Sequence, residues 1–338
     1  MCRIRTLFYC GHESRYGLAH LEPLLKSNVF KVEEIVLATQ PRWNRFRSQL
    51  TGIPIRNSIW SRRTFQEGLG KILKKVREFS DARIRTTDDV NHPSEIGRAK
   101  HYDLAVCAAY PQIFAPDLLA AAKLGAINFH PSYLPRCRGA HPIYWAIASG
   151  EPHSGISCHL MEETIDTGPI VAQRRIDFDP GTITYSRLYA LVEFETPLLC
   201  RDVERFYAEG ASPAPQHGVS SYFRNERDAD RRINFESDTV VKASAKIRAG
   251  GAFAFCNSRR VLLTPPVSIS SFSTESGKPI PGHIVEVTDD LIRVSGQMGI
   301  LTARYSVAFQ GDWLQRGLRK LRLLRANRFR PKKGDTLN

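Results

Sequence analysis

Three polar residues with complementary chemistry occur within a short part of the chain: Asn128, His130 and Asp166. Asn128 and His130 are two positions apart on a predicted strand, so both side chains leave the same face of a sheet. An amide donor beside an imidazole can stabilise a developing oxyanion and manage its proton. Asp166 precedes Thr-Gly-Pro on a predicted turn, where it can orient the histidine or accept a proton from a nucleophile. The combination indicates chemistry at a carbonyl group.

Each of these residues also has an ordinary structural interpretation. A strand-end Asn caps turns, an Asp in Asp-Thr-Gly makes an Asx turn, and a buried His is often a hydrogen-bonded core residue. The loop that follows His130 contains Pro131, Pro135 and Gly139, which predict a rigid, tightly turning segment. Such a loop would hold the polar groups in place, and this favours the chemical interpretation.

The elements before this loop alternate between strands and helices. Apolar runs predict strands at 4–11, 32–39, 102–109 and 125–132, and helical periodicity predicts helices at 18–26, 64–79 and 116–125. This alternation predicts an α/β fold with a doubly wound, mostly parallel sheet. Ligands bind such sheets beyond the carboxyl ends of the strands, where residues 128–142 fall.

The second half of the chain changes character. Strands are predicted at 155–161 and 168–178, and a long helix at 185–209. The run ASPAPQHG (211–218) is typical of a linker. One short helix and several short strands follow, which predict a smaller β-rich, OB-like domain. We therefore expect a catalytic domain at 1–210, a linker at 211–229 and a C-terminal domain at 230–338.

Composition excludes several classes of protein. The chain has 338 residues, 42% of them hydrophobic and 24% charged, which is typical of a globular protein of about two domains. No apolar run is long enough to span a bilayer, and the N-terminal segment lacks the features of a signal peptide. Seven scattered cysteines without a C-x-x-C pair predict reduced thiols, a cytoplasmic location and no zinc site.

The net charge is +14, and much of the excess lies in the stretch 316–333 (RGLRKLRLLRANRFRPKK). This basic stretch has two interpretations. It can be an electrostatic surface for nucleic acid or another polyanion, or a solvated basic helix. Charge alone does not choose between them.

Longer runs of sequence resemble a known family, the folate-dependent formyltransferases. They are INFHPSYLPRCRGAHPIYWAIASGE, starting at Ile127, and GISCHLMEETIDTGPIVAQ, starting at Gly155. In that family an N-x-H strand end, an S-L-L-P-x-x-R-G loop and an I/L-D-T-G turn build the active site. AVCAAYPQIFAPDLL, starting at Ala105, resembles the family's segment beside the folate pocket, and RRINFESDTVVKASAKIRA resembles the start of its C-terminal domain.

The resemblance implies formyl transfer from N10-formyltetrahydrofolate to a primary amine, without a metal. Asn128, His130 and Asp166 match the family's catalytic trio, in which the first two stabilise the oxyanion and the third holds the histidine and helps to remove the amine proton. The residues implied in folate binding are Tyr110, Gln112, Ile113, Ser132 and Gly168.

Departures from the pattern of methionyl-tRNA formyltransferases bear on the identity of the acceptor and weaken, without excluding, tRNA as the acceptor. Those relatives carry a G-T-P-x-F turn after the first strand, where this chain has Gly11-His12-Glu13-Ser14. After the second strand the stretch 40–47 is basic but lacks their glycines, and 250–255 replaces their P-W-P-G element. The wording His130-Pro131-Ser132 resembles formyltransferases of small amines.

We therefore expect a small-molecule amine as the acceptor, and a nucleotide-linked amino sugar in particular. The alternative is methionyl-tRNA formyltransferase, with tRNA as the partner. A non-catalytic nucleic-acid-binding relative is the alternative from another class. No membrane partner is expected, and a homodimer is compatible with the sequence.

Overall fold

A computed structural model describes residues 3–11, 14–38, 62–271, 280–307 and 330–338. The basic stretch 40–47 lies outside the described residues. Residues 316–329 of the basic stretch 316–333 also lie outside them. Among the described residues, no helix is both long and apolar enough to cross a membrane.

Seven strands form the central sheet, in the order β3-β2-β1-β4-β5-β7-β8. The first five are parallel, and β7 runs antiparallel to β5. The strands in this part of the chain are β1 (Ile4–Cys10), β2 (Phe30–Ala38), β3 (Arg83–Thr87), β4 (Leu104–Ala108), β5 (Ala126–His130), β6 (Arg138–Gly139), β7 (His153–Leu160) and β8 (Ile170–Asp177). The predicted doubly wound, mostly parallel sheet is confirmed.

Within the described residues, six helices connect or follow these strands: α1 (Arg15–Leu25), α2 (Arg62–Phe79), α3 (Pro93–Ala99), α4 (Pro116–Leu119), α5 (Pro142–Ala148) and α6 (Tyr185–Glu209). Strands β1 and β4 are buried almost throughout. Their mostly apolar sequences are typical of strands that have both faces of the sheet covered. Tyr9 of β1 packs edge-on against the rings of Tyr110 and Phe114, which follow β4. The carboxyl ends of β1 and β4 are thereby held together beside β5.

Helix α1 begins immediately after β1. The Ser14 hydroxyl accepts a hydrogen bond from the Gly17 amide at 3.0 Å and caps the helix. A Cβ atom at Gly17 would lie 2.9 Å from Cys10 Cβ and 3.0 Å from the Ala108 carbonyl oxygen. Glycine therefore lets the helix approach the ends of two neighbouring strands.

The helix expected at 116–125 is shorter in the structure. Helix α4 ends at Leu119. The Lys123 and Leu124 amides donate to the carbonyls of Tyr102 and Asp103 instead of continuing the helix, and Gly125 has a φ of 76°. The sequence analysis also missed β3 and α3, whose Arg85 and Glu95 pair at 2.5 Å.

The C-terminal part contains a five-stranded antiparallel sheet in the order β10-β11-β14-β13-β12. Its elements are β9 (Tyr222–Phe223), α7 (Asp228–Arg231), α8 (Val240–Arg248), β10 (Ala252–Cys256), β11 (Arg259–Ser270), β12 (Ile284–Val287), β13 (Leu291–Gly296) and β14 (Gly299–Val307). Helix α8 contributes Val240, Ala243 and Ile247 to the core of this sheet. The predicted β-rich C-terminal region is confirmed.

Residues 335–338 bond to both outer strands of this sheet. Asn338 exchanges two backbone hydrogen bonds with Phe255 of β10, at 2.6 and 2.8 Å. On the other side, the Leu337 amide donates to Gly282, and the Ile284 amide of β12 donates to Asp335, both at 2.7 Å. The segment therefore adds backbone pairing to both outer strands of the sheet, which are the strands open to further pairing.

The chain divides into two compact units. One comprises Met1–Gly139, Ser154–Asp177 and Ala190–Tyr222, and the other comprises Ala140–His153, Phe178–Tyr189 and Phe223–Asn338. Residues 211–222 of the expected linker lie in the first unit. The domain boundaries expected at 210 and 230 stay predictions.

Candidate active site

Strand β5 carries two of the expected catalytic residues at its carboxyl end. Asn128 and His130 are separated by one residue, so their side chains leave the same face of the sheet. Asn128 lies opposite His159 of β7 in register, and His130 lies opposite Ser157. The side chain of His130 is buried.

Asp166 lies in the turn between β7 and β8 and completes the cluster. Its Oδ1 atom lies 3.5 Å from the Asn128 amide nitrogen, and its Oδ2 atom lies 3.5 Å from His130 Nδ1. The Gly139 backbone amide donates to Oδ2 at 2.8 Å. The structure thus brings together the three side chains that the sequence singled out.

His130 makes its second contact with the loop that follows it. Its Nε2 atom lies 2.9 Å from the carbonyl oxygen of Cys137. A carbonyl oxygen only accepts, so Nε2 carries the hydrogen and Nδ1 faces the Asp166 carboxylate. The backbone of Cys137, at a φ of 54°, therefore fixes the orientation of the imidazole.

His159 is a further member of the cluster, which the sequence analysis missed. Its Nδ1 atom donates to the Leu160 carbonyl at 2.7 Å. Its Nε2 atom lies 3.3 Å from the Asn128 amide nitrogen. The same Nε2 atom lies 3.4 Å from Asp166 Oδ1. The signal that could have revealed it is a histidine within the otherwise apolar run GISCHLM, on a strand next to β5.

The cluster keeps Asp166 ionised. Burial alone would raise the pKa of its carboxyl group, but the nearby His130 and His159 rings and the Gly139 N–H stabilise the charged form. The pKa of Asp166 therefore lies well below its ordinary value. A fixed negative charge faces the imidazole and the amide across the site.

The loop from Pro131 to Gly139 is held by side chains beneath it. The Ser132 hydroxyl is buried and donates to the Arg136 carbonyl at 2.7 Å. The Ser157 hydroxyl donates to the Ser132 carbonyl at 2.6 Å, and Gln173 donates to the Leu134 carbonyl at 2.8 Å. Ser132, which the resemblance implies in folate binding, thus donates its hydroxyl hydrogen within the protein.

The turn that carries Asp166 needs a glycine two residues later. A Cβ atom at Gly168 would lie 2.0 Å from the Leu160 carbonyl oxygen, so the turn packs directly on the end of β7. Gln216 donates to the Asp166 and Gly168 carbonyl oxygens at 2.9 and 2.8 Å. Gly168 therefore allows the turn to lie against β7. The hydrogen bonds from Gln216 to this turn are not indicated by any local sequence pattern.

The other residues expected at the folate lie after β4, the neighbour of β5. The ring of Tyr110 packs on Tyr9, and the Gln112 side chain bonds to the Val90 amide and the Asp88 carbonyl. Ile113 is 69% exposed beside them. Contact of these residues with folate stays a prediction, and Ile113 is the one that offers an apolar surface to a ligand.

Within the described part of the chain, no group of three or more His, Cys, Asp or Glu side chains is arranged to hold a metal ion. The six cysteines described there are free and buried.

A parallel sheet with a polar cluster at a strand end agrees with a group-transfer enzyme, and comparison with known proteins names the class. Residues 63–201 match the formyl transferase family model. The resemblance to the folate-dependent formyltransferases expected from the sequence is confirmed, and this part of the chain is similar to their formyl transferase domain.

Individual relatives are similar to this chain over part of their length. The methionyl-tRNA formyltransferase of Thermodesulfovibrio yellowstonii is 30% identical over 201 residues, which cover 59% of this chain and 63% of that protein. The chain spans 51–65% of the length of four methionyl-tRNA formyltransferases that it matches at 30–36% identity.

Solved structures share the fold at low sequence identity. The N-formyltransferase of Helicobacter canadensis, crystallised with folinic acid and dTDP-3-aminofucose, is 17% identical with a TM-score of 0.58, over 90% of this chain and 100% of that one. HypX from Aquifex aeolicus in complex with tetrahydrofolic acid gives a TM-score of 0.53 at 16% identity, over 89% of this chain and 44% of that one.

Proposed function

We propose that the protein is an enzyme that transfers a formyl group from N10-formyltetrahydrofolate to the primary amine of a small acceptor. The observation that carries this proposal is the cluster of Asn128, His130 and Asp166 at the carboxyl end of β5. Its 3.5 Å contacts join an amide, an imidazole and an ionised carboxylate. These are the groups that acyl transfer to an amine requires.

In the proposed reaction, the amine nitrogen attacks the formyl carbon, and the carbonyl electron pair moves onto the oxygen. Asn128 donates a hydrogen bond to this oxyanion, and His130 shares with it the Nε2 hydrogen that also faces the Cys137 carbonyl. The bond between the formyl carbon and N10 of the folate then breaks, and N10 takes up a proton as the oxyanion returns its electron pair. One such donor typically contributes about 3 kcal/mol of transition-state stabilisation.

Asp166 has two roles in this proposal. Its carboxylate lies beside His130 Nδ1 and so holds the ring with Nε2 against the Cys137 carbonyl. Its low pKa keeps it charged, so it can attract the proton that the amine loses on forming the amide. No step needs a metal ion.

We assign the folate to the surface formed by Tyr110, Gln112 and Ile113, and we keep Ser132 and Gly168 as the other residues proposed to bind it. The first three follow β4, the strand that pairs with β5. Two structural neighbours were crystallised with folinic acid or tetrahydrofolic acid, which supports a folate donor here. The free buried thiols agree with action in the reducing cytoplasm.

We propose a nucleotide-linked amino sugar as the acceptor. The support is the departure of residues 11–14 and 250–255 from the tRNA-enzyme pattern, together with the Helicobacter canadensis neighbour that was crystallised with dTDP-3-aminofucose. The second candidate is methionyl-tRNA formyltransferase, because curated relatives of 30–36% identity carry that name.

One assay tests the donor, the acceptor and the alternative together. Purified full-length protein is incubated with N10-formyltetrahydrofolate and, separately, with amino sugar nucleotides, hydroxyornithine and charged initiator tRNA, and mass spectrometry detects the formylated product. A small acceptor predicts turnover that depends weakly on salt, whereas tRNA predicts a steep decline of log activity with log salt. Folate binding without turnover on any acceptor would favour a non-catalytic relative.

A further inference from the structure

The segment 214–221 runs between the two turns that position the catalytic cluster. Its composition is that of a linker, rich in proline, alanine and serine. In the structure it begins with a two-way backbone bridge between Ala214 and Ile170, at 2.7 and 2.9 Å. Two of its side chains, those of Gln216 and Ser221, make hydrogen bonds that lead directly to Asp166 and to the partner of His130.

Gln216 links the Asp166 turn to Arg138 through its side-chain amide. Its Nε2 atom donates to the Asp166 and Gly168 carbonyl oxygens, at 2.9 and 2.8 Å. Its Oε1 atom accepts from the Arg138 guanidinium, at 3.2 Å from Nε and 2.8 Å from one terminal nitrogen. Carbonyls only accept and guanidinium groups only donate, so these partners fix the orientation of the amide.

Ser221 holds the other turn. Its hydroxyl oxygen accepts from the Cys137 amide at 2.9 Å. Its backbone carbonyl accepts from the Arg138 amide at 2.9 Å, and its amide donates to the Pro135 carbonyl at 3.2 Å. The carbonyl of the same Cys137 accepts from His130 Nε2 at 2.9 Å. One residue therefore separates Ser221 from the imidazole.

Both turns contain a non-glycine residue in the left-handed region, Asp166 at a φ of 55° and Cys137 at 54°. Such a conformation costs free energy and persists only where surrounding contacts hold it. The bonds from Gln216 and Ser221 fall on these same residues. The segment 214–221 therefore supplies the contacts that keep both turns in place.

We propose that Gln216 and Ser221 are positioning residues for formyl transfer, Gln216 by holding the Asp166 carboxylate and Ser221 by holding the Cys137 carbonyl against His130. This inference rests on the proposed function and extends its machinery beyond residue 210. Neither residue is proposed to touch the substrates. Their effect is on kcat rather than on substrate affinity, because misplacing a catalytic group by about 1 Å can lower the rate by about 100-fold.

The kinetic test uses matched neighbours as controls. Gln216→Glu keeps the acceptor for Arg138 but loses both donors, and Ser221→Ala loses only the hydroxyl. We expect kcat to fall by about ten-fold or more in Gln216→Glu and by several-fold in Ser221→Ala, with KM for N10-formyltetrahydrofolate within about two-fold. Ser221→Thr should restore the rate. The exposed controls His217→Ala and Ser220→Ala should match the parent.

A second measurement does not need turnover. In protein labelled with ¹⁵N-histidine, the His130 Nε2–H resonance reports its bond to Cys137. We expect this resonance to shift or to exchange faster in Ser221→Ala and not in Ser220→Ala. An unchanged resonance, or full kcat in both Gln216→Glu and Ser221→Ala, would overturn the positioning role. A parent protein that formylates no amine refutes the proposed function instead, and the resonance then decides the positioning role alone.

Discussion

The Nε2 atom of His159 lies 3.3 Å from the amide nitrogen of Asn128, its register partner across the β5–β7 pair. Since the other ring nitrogen donates to Leu160, the ring is held with this Nε2 atom against the side-chain amide of Asn128. The amide that we assign to the oxyanion is therefore oriented by a neighbouring strand.

Replacing His159 tests this orientation. His159→Leu removes the polar partner of Asn128 and leaves the Asn128 side chain to rotate, so we expect kcat to fall by about ten-fold or more, in line with the 1–3 kcal/mol cost of an unsatisfied buried group. His159→Gln offers an amide oxygen in a similar place and should lose less. Steady-state kinetics of both folded variants make the comparison, and equal losses would contradict the orienting role.

Replacing the oxyanion donors should be more severe. We expect Asn128→Ala or His130→Ala to lower kcat by about 100- to 1,000-fold, the effect of losing one oxyanion donor. Formyl transfer is measured at saturating folate, and circular dichroism checks the fold. The exposed His101→Ala serves as the control. Turnover near the parent level in His130→Ala would remove this residue from the site.

Asp166 makes part of the stability of the protein dependent on pH. Its pKa is lowered on folding, so its charged form stabilises the folded state above the unfolded pKa of about 4. This contribution is lost as the pH falls below that value toward the folded pKa. We therefore expect urea unfolding of Asp166→Asn to lose less free energy between pH 7 and pH 3 than the parent does.

The exposed Asp81→Asn is the control for this measurement and should follow the parent. Identical losses of unfolding free energy in the parent and in Asp166→Asn would show that the pKa of Asp166 is not lowered by folding.

Ile113 tests the placement of the folate. It is 69% exposed, so Ile113→Asp should fold normally. If its side chain packs on the folate, the charge should weaken folate binding by about ten-fold or more, because burying an Ile side chain contributes about 1.5–3 kcal/mol. Calorimetry with folinic acid measures this. Leu124→Asp, at the amino end of β5 and 47% exposed, should bind like the parent.

Leu337 tests the closing segment of the C-terminal sheet. It is 1% exposed within the core of that sheet, so Leu337→Ala should lower the free energy of unfolding by about 2–5 kcal/mol. We expect this loss in chemical denaturation, with the kinetics of formyl transfer unchanged. Because residues 335–338 pair with β10 and β12, the role of the basic stretch 316–329 is better tested by charge substitutions than by truncation.

Much of the fold could be predicted because the spacing of apolar residues along the chain indicates its strands and helices. The apolar runs of β1, β2, β4 and β5 and the long helix α6 follow from periodicity, and the pair Asn128 and His130 follows from alternation along a strand. Helix α4 was overestimated, because tertiary hydrogen bonds from residues 123–124 to 102–103 replace the last helical turn.

The contacts of Gln216, Ser221 and His159 could not be predicted from local sequence. They join residues that are distant along the chain, and two depend on turns at Asp166 and Cys137 whose left-handed backbone is uncommon for residues other than glycine. A proline- and serine-rich run is typical of a linker whether or not its side chains bond to a catalytic loop.

The pairing of residues 335–338 with both outer strands has a consequence for biosynthesis. Strand β10 is made long before residue 338, yet Phe255 meets its backbone partner only when that residue has left the ribosome. Until then the outer strands β10 and β12 lack these partners and can pair with other chains. Its folding therefore finishes after these residues are synthesised. The backbone pairing of Phe255 with Asn338, which spans the largest sequence separation, completes the sheet.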